Sequence, residues 1–355
     1  MPLADALAVS EQFRRALLAQ ERQAATRLVR AYGGIWTRLQ SQIEALTTEL
    51  DTLAAKGELS PAKVARLGRL KNLERQIAEE VSKYGIYAEQ EIAQGATAAI
   101  QQAQRDARAL TQAALPGLAP LDAAIMARWQ SLNPAAVESL LGFLADDSPL
   151  KRGLVKDLGP AVAERVGEKL LEGIALGYNP RKVASIIQHE VGQGLTWSLR
   201  TARTVQVNAY REATRASYIA NEEIVPRWEW RSARDERTCA SCVAMDGTVH
   251  KANERLNDHW QGRCVMLPLP VSYRDLGFDV DEPPAEDEPT GEAWFAAQSP
   301  ATQQKILGPG TYEAWQAGKF DFAQLSQEVD DPVWGTIRTE TPLKNLIGDD
   351  SAKAA

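Results

Sequence analysis

Between positions 28 and 53 apolar side chains recur at steps of three and four: Leu28, Tyr32, Ile35, Leu39, Ile43, Leu46, Leu50 and Leu53. Such spacing lines one face of an α-helix, and a face this long has to be buried against something. The stripe resumes as Val64, Leu67, Leu70, Leu73, Ile77, Val81 and Tyr84. The break between them, Lys56-Gly57-Glu58-Leu59-Ser60-Pro61, holds in order a helix-ending glycine, a capping serine and a proline suited to a first helical turn. Residues 1–115 are therefore expected to form a long antiparallel helical hairpin or arm. Gly33-Gly34 interrupts the stripe and is expected to weaken or bend the first helix. Two ways of hiding the stripe are open: an intramolecular bundle, which is the simpler, or an extended arm docked on a partner.

Pro116, Gly117 and Pro120 then mark a boundary, and residues 121–221 read as helical in shorter pieces. In Gly177-Tyr178-Asn179-Pro180 the glycine ends one helix, Asn179 caps the next and Pro180 opens it. A longer helix is expected from near Thr196 to Asn221, ahead of Pro226. Beyond it the period changes. Arg227-Trp228-Glu229-Trp230-Arg231 alternates with period two and predicts a strand, and Val265-Met266-Leu267-Pro268-Leu269 predicts a second. Residues 281–292 read as an acidic, proline-rich linker unable to pack a core. Residues 293–348 form a small C-terminal segment anchored by Trp294, Phe295, Ile306, Leu307, Tyr312 and Trp315, and 345–355 read as a frayed tail. The fold class expected is mainly α with a small β element: an N-terminal helical hairpin, a helical middle domain at 120–270 and, within it at 227–270, a small β module braced by Cys and His.

Composition narrows what such a chain does. Hydrophobic residues at 44% suffice for a proper core, and a formal net charge of -7 argues against coating DNA by bulk electrostatics, which needs clustered Lys and Arg. No run of about 18 apolar residues reads as a membrane span. Met1-Pro2-Leu3-Ala4-Asp5 lacks the basic and apolar regions of a secretory signal.

The three cysteines of the chain, Cys239, Cys242 and Cys264, all fall in one short window, with two of the three histidines, His250 and His259. An odd number of thiols in a long chain fits reduced thiols or metal ligands better than a disulfide framework. Cys239-x2-Cys242 lets two thiolates reach one ion from a single turn, and His259-x4-Cys264 supplies the other two ligands of a tetrahedral Zn²⁺ site. Four protein ligands make a closed structural site that contributes to folding of the module. His250 is a rival fourth ligand. Two other readings stay open: a reactive dithiol or disulfide at Cys239 and Cys242, or cysteines acting as small buried hydrophobes.

Arg200, Arg203, Arg211 and Arg215 recur along the helix before the first strand. They read either as a solvated face paired to acids or as a contact for DNA phosphates or an acidic protein ring. Asp246-Gly247 reads as a hairpin-turn dipeptide. No P-loop, nucleophile elbow, His-Glu-x-x-His or dinucleotide fingerprint occurs, so no catalytic residue is named and an enzyme is not expected.

The order of these features resembles the phage Mu F-like head-morphogenesis proteins. Their pattern has an Arg-Thr-rich helix, a Trp-containing strand, a block Asp-x-x-Thr-Cys-x-x-Cys-x-x-x-Asp-Gly and a closing His-Pro-x-Cys-Arg-Cys. Matching residues here are Arg200-Thr201 and Arg203-Thr204, then Trp228 and Trp230, then Asp235, Thr238, Cys239, Cys242, Asp246 and Gly247, then His259, Arg263 and Cys264. The departure is at Trp260 and Gly262, where the pattern has its Pro and first Cys. A ligand set that relies on that Cys cannot operate here, which leaves His259 and Cys264 as partners of the Cys pair.

The resemblance covers 120–270 well and 293–348 more loosely. It implies a structural minor head protein of a tailed phage or prophage, associated with the portal vertex and acting in procapsid assembly, with DNA packaging or ejection as further roles. Its partners would be the portal protein and other head proteins, with no membrane and no small-molecule substrate. It would reside in the host cytoplasm during assembly and then in the virion. The alternative is a zinc-braced nucleic-acid-binding module that contacts packaged phage DNA through Arg227, Arg231, Arg234, Arg237, Arg255 and Arg263. A third class, an effector enzyme fused to such a domain, finds no candidate site after residue 270.

Overall fold

The computed structural model describes residues 2–133, 136, 139, 140, 142, 145, 148–282, 288–332 and 335–348. The middle of the expected linker, 283–287, and the end of the expected tail, 349–355, lie outside these. The described chain is mainly α with a small antiparallel β element. In order its helices are α1 (Pro2–Ala55), α2 (Pro61–Val64), α3 (Gly68–Ala114), α4 (Ala119–Ala127), α5 (Pro149–Arg152), a π-helical turn (Gly153–Asp157), α6 (Leu158–Ala175) and α7 (Pro180–Ala220). Then come β1 (Arg227–Arg231), α8 (Ala240–Met245), β2 (Val249–Lys251) and β3 (Val265–Leu269). The C-terminal part holds α9 (Gly291–Ala296), α10 (Pro300–Leu307), α11 (Pro309–Gln316), a 3₁₀ turn (Phe322–Leu325), β4 (Ser326–Asp331), β5 (Gly335–Glu340) and α12 (Leu343–Ile347). No described helix is long and apolar enough to cross a membrane.

The chain divides into two compact units that do not follow its linear order. One takes Ala19–Thr97 and Leu141–Gln206; the other takes Met1–Leu18, Ala98–Leu140 and Val207–Ala355.

In the first unit the two apolar stripes are buried apart from half-buried Leu67, with Leu28, Leu39, Leu46, Leu73, Ile77 and Val81 completely so. Ion pairs Arg38–Glu80 and Arg27–Glu91 set α1 antiparallel to α3. The turn uses the residues expected: Gly57 has φ +68° and the Ser60 side chain accepts the Lys63 N–H. Two details differ. The proline opens only a single helical turn before α3, and α1 runs unbroken through Gly33-Gly34. A mid-helix glycine costs about 1 kcal/mol, which the burial of Tyr32 and Ile35 on either side offsets. Likewise α7 begins at Pro180, not near Thr196. Asn179 caps it through the Lys182 N–H at 2.9 Å, and Gly194 within it faces the Tyr32 hydroxyl, which donates to the Val191 carbonyl.

Glycines also let α3 lie against α6 and the π turn. A Cβ at Gly85 would stand 2.1 Å from the Leu154 carbonyl oxygen, and one at Gly159 2.4 Å from that of Ala78. Backbone oxygens cannot swing aside, so these positions exclude any larger residue.

In the second unit, β1 lies between β2 and β3, antiparallel to both. Both strands expected from the sequence form with the expected residues. The three-residue β2 was too short to carry a period. Trp228 and Trp230 point from β1 into a core with Tyr218, Met266, Cys242, Cys264 and Tyr273. A neighbouring core joins Ala240 and Val243 of α8 to Phe295, Ile306, Leu307, Phe322 and Leu325. Asp246-Gly247 does not turn a hairpin: it ends α8, Gly247 with φ +91°, and leads into β2. The end of the expected linker packs, too. The Gly291 N–H donates to the Asp246 carbonyl at 3.0 Å, and Glu288 lies 3.4 Å from Arg234.

Gly85→Ala is expected to destabilise the first unit by about 1–3 kcal/mol, read as a lowered midpoint in thermal unfolding. Gly33→Ala, where the added Cβ meets nothing within 4 Å, is expected to stabilise it by about 0.5–1 kcal/mol. Equal effects of the two would contradict the packing described.

Candidate metal centre

Three elements bring the sulfur and nitrogen donors together. α8 carries the Cys pair on its first turn: Cys239 caps it, its Sγ accepting the Cys242 N–H at 3.4 Å. The start of β3 is preceded by Cys264. Between β2 and β3 runs a segment without regular structure that carries Asp258 and His259.

His259 Nε2 lies 3.2 Å from Cys239 Sγ and 3.3 Å from Cys242 Sγ. Its Nδ1 is 2.8 Å from the Trp260 carbonyl. A proton on Nδ1 is the only way to satisfy that contact, which leaves Nε2 as the atom presented to the sulfurs. Donor atoms of Cys239, Cys242 and His259 all lie within 4.8 Å of one another, and so do those of Cys242, Asp258 and Cys264. The cluster could therefore hold a metal ion. Of the four ligands expected from the sequence, Cys239, Cys242 and His259 form one set, and Cys264 falls in the other, joined to it through Cys242.

Asp258 is the residue the sequence reading missed. Its side chain is 1% exposed and that of Arg211 6%. Arg211 Nη2 donates to Asp258 Oδ2 at 2.6 Å and to the Cys264 carbonyl at 2.9 Å, where Nε adds a third bond at 3.2 Å. The other donors to the carboxylate are the His259 N–H at 2.8 Å, the Cys264 N–H at 3.3 Å and the Cys242 thiol at 3.4 Å. An acid directly before a candidate ligand histidine was the one local signal. Its pairing with Arg211, 47 residues away, has none.

The charge states follow from these contacts. The Cys239 thiol is pulled down to about 5 by the hydrogen bond from Cys242 and, against burial, by the His259 ring. Burial works against a charged His259, but the Cys239 thiolate and Asp258 outweigh it and raise the ring to about 9. Cys242 is pushed up by sharing its proton with Cys239 and Cys264, and Cys264 by burial. Burial would raise Asp258, yet Arg211 and His259 hold it below the usual carboxylate range. Without an ion the site is a thiolate–imidazolium pair beside two protonated thiols.

The C-terminal hairpin of β4 and β5 closes over this loop. Trp260 Nε1 donates to Asp331 at 3.0 Å, the Arg338 N–H to the Asn257 carbonyl at 2.6 Å, and the Ala240 N–H to Glu340 at 3.1 Å.

The remaining residues singled out by sequence are placed as follows. Trp228 is fully buried, with His250 stacked on it at 4.4 Å. Both His250 nitrogens are engaged elsewhere, by Thr248 at 2.8 Å and Glu254 at 3.0 Å. Asp235 receives both outer nitrogens of Arg263 and, through the Thr238 hydroxyl, closes the turn before Cys239. Asp246 is buried and takes a two-pronged bond from Arg234, both at 2.9 Å. On α7, Arg203 lies 3.4 Å from Glu21, Arg215 2.7 Å from Glu212, Arg211 is turned inward, and Arg200 is exposed.

Residues 164–267, which run from α6 through Leu267 of β3, match the family described as Phage Mu protein F like protein. No curated protein and no solved structure matches the chain.

Arg211→Ala is expected to destabilise the second unit by about 3–5 kcal/mol, since it strands a buried carboxylate. Arg255→Ala, at an exposed pair with Glu212, is expected to cost less than about 1 kcal/mol. Denaturant unfolding followed by tryptophan fluorescence distinguishes them. In metal-free protein at pH 7, Cys239 is expected to be alkylated well before Cys242 and Cys264. Its thiolate is populated above its pKa, so the rate falls only as pH drops through about 5. Peptide mapping after brief iodoacetamide treatment reads this directly; uniform labelling would contradict it.

Proposed function

We propose that this chain, a phage Mu F-like protein over residues 164–267, is a structural minor head protein of a tailed phage or prophage that acts in procapsid assembly at the portal vertex. The observation that carries the reading is the match itself, which spans the Cys/His module and the long helix that holds it. Its partners on this reading are the portal protein and other head proteins. It resides in the host cytoplasm during assembly and then in the virion, with roles in packaging or ejection following from that position.

Zinc is the ion the donor set suits. Two thiolates and an imidazole are borderline-soft ligands at tetrahedral spacing, and a sheet with strands of five, three and five residues gains most from an added cross-link. Cys239, Cys242 and His259 are proposed to hold it, with the fourth place taken from the second donor set, by Cys264 as the sequence spacing has it or by Asp258. Bound there, the ion would tie α8 to the loop before β3. Such a brace keeps a small docking surface in one shape without performing chemistry, which is the part a structural head protein needs.

The nucleic-acid reading is less well supported by the arginines it depends on. Arg231, Arg234 and Arg263 point their guanidinium groups at Glu229, Asp246 and Asp235, and Arg255 at Glu212. Committed donors contribute little to phosphate neutralisation.

Protein purified without chelators is expected to carry about one zinc per chain, lost in His259→Ala and in Cys242→Ser, as read by elemental mass spectrometry. Gold labelling of a tagged chain in purified procapsids is expected to mark a single vertex and to vanish in portal-deficient particles. Label spread over the shell, or absent from particles, would sink the assembly role. Strongly salt-dependent DNA binding abolished by charge reversal at Arg227 and Arg237 would favour the alternative.

A further inference from the structure

Cys264 and Asp258 stand in the same set of donors with Cys242, and a tetrahedral ion has room for only one of them beside Cys239, Cys242 and His259. Two observations separate them. The first is distance. Bond lengths typical of zinc place neighbouring ligand atoms roughly 3.4–3.8 Å apart around a tetrahedron. Asp258 Oδ1 already lies 3.4 Å from Cys242 Sγ and 3.5 Å from His259 Nε2, matching the 3.2 and 3.3 Å that separate His259 Nε2 from the two sulfurs. The carboxylate thus faces two of the three donors. Cys264 Sγ lies within 4.8 Å of Cys242 and Asp258, in the donor set that lacks Cys239 and His259.

The second is space. A Cβ at position 262 would stand 1.9 Å from Asp258 Oδ2, so the carboxylate fills the volume that any side chain there would claim. Gly262 is what admits it. Oδ2 is fixed by Arg211 and the Cys264 N–H, while Oδ1 accepts the His259 N–H at 2.8 Å and faces the cluster with its other lone pair.

Resting on the metal reading above, we propose that Asp258 Oδ1 is the fourth ligand, giving a Cys₂HisAsp site in which Arg211 positions the carboxylate and Cys264 stays in the core outside the ligand set. A carboxylate in place of a third thiolate makes the site harder and easier to open, since one oxygen can leave the ion while the other stays on Arg211.

X-ray absorption at the zinc edge of the intact wild-type chain tests this without any substitution. The expected first shell is two sulfurs at about 2.3 Å and two lighter atoms at about 2.0–2.2 Å. Three sulfurs and one nitrogen would overturn the assignment while leaving the metal reading intact. The cobalt-loaded Cys264→Ser variant gives a second readout. Sulfur-to-cobalt absorption is expected to match wild type, whereas a loss of about one third would identify Cys264 as the ligand. Asp258→Cys is expected to raise that absorption by about half, from two thiolates to three. Wild-type protein that takes up neither zinc nor cobalt would overturn the metal reading itself, and the ligand assignment with it.

Discussion

The buried pair between Arg211 and Asp258 is the contact on which the second unit depends. Burying two charges costs several kcal/mol per ion unless nearly every lone pair and proton finds a partner. Here the requirement is met. The carboxylate takes bonds from Arg211, two backbone N–H groups and a thiol, and Arg211 gives its Nε and Nη2 donors to the Cys264 carbonyl as well. The loop from Asn253 to Cys264 has no hydrogen-bonded ladder of its own. What sets the position of His259 is therefore the anchorage of its neighbour to α7. The same pair fixes the backbone at Cys264, from which β3 starts and on whose register with β1 the packing of Trp230 against Met266 depends.

From that anchor the loop is held on two further sides. α8 meets it through the two sulfurs, and the β4–β5 hairpin through Trp260, Asn257 and the capping of Ala240 by Glu340. The C-terminal segment is thus part of the module rather than an appendage to it. Phe295, Phe322 and Leu325 bury the outer face of α8 while Trp228 and Tyr218 belong to the core that takes Cys242. A six-residue helix has too little cooperativity to hold two thiols at fixed spacing alone. Packing on both faces does so.

Legibility in the sequence followed locality. The apolar stripes, the Ser60 and Asn179 caps and the Trp228/Trp230 alternation are encoded within a few residues, and all are in place. Gly33-Gly34 misled because a local penalty of about 1 kcal/mol per glycine was outweighed by burial that only the tertiary context supplies. β4, Ser-Gln-Glu-Val-Asp-Asp, has no strand composition at all, and it exists because it pairs with β5 over six residues. The gathering of Cys239, Cys242 and His259 was foreshadowed by spacing. The partner of Arg211 was not: an arginine on a helix face reads the same whether it meets solvent or a carboxylate 47 positions on.

That last ambiguity bears on function, because much of the module's positive charge is paired where it lies. Arg211, Arg231, Arg234 and Arg263 have side chains no more than 15% exposed, and each is paired with an acid. Their number suggested a phosphate-binding surface; their geometry makes them internal struts, each holding a turn or strand end against a neighbour. Paired in this way, the four guanidinium groups add little to the attraction between this chain, of net charge -7, and nucleic acid.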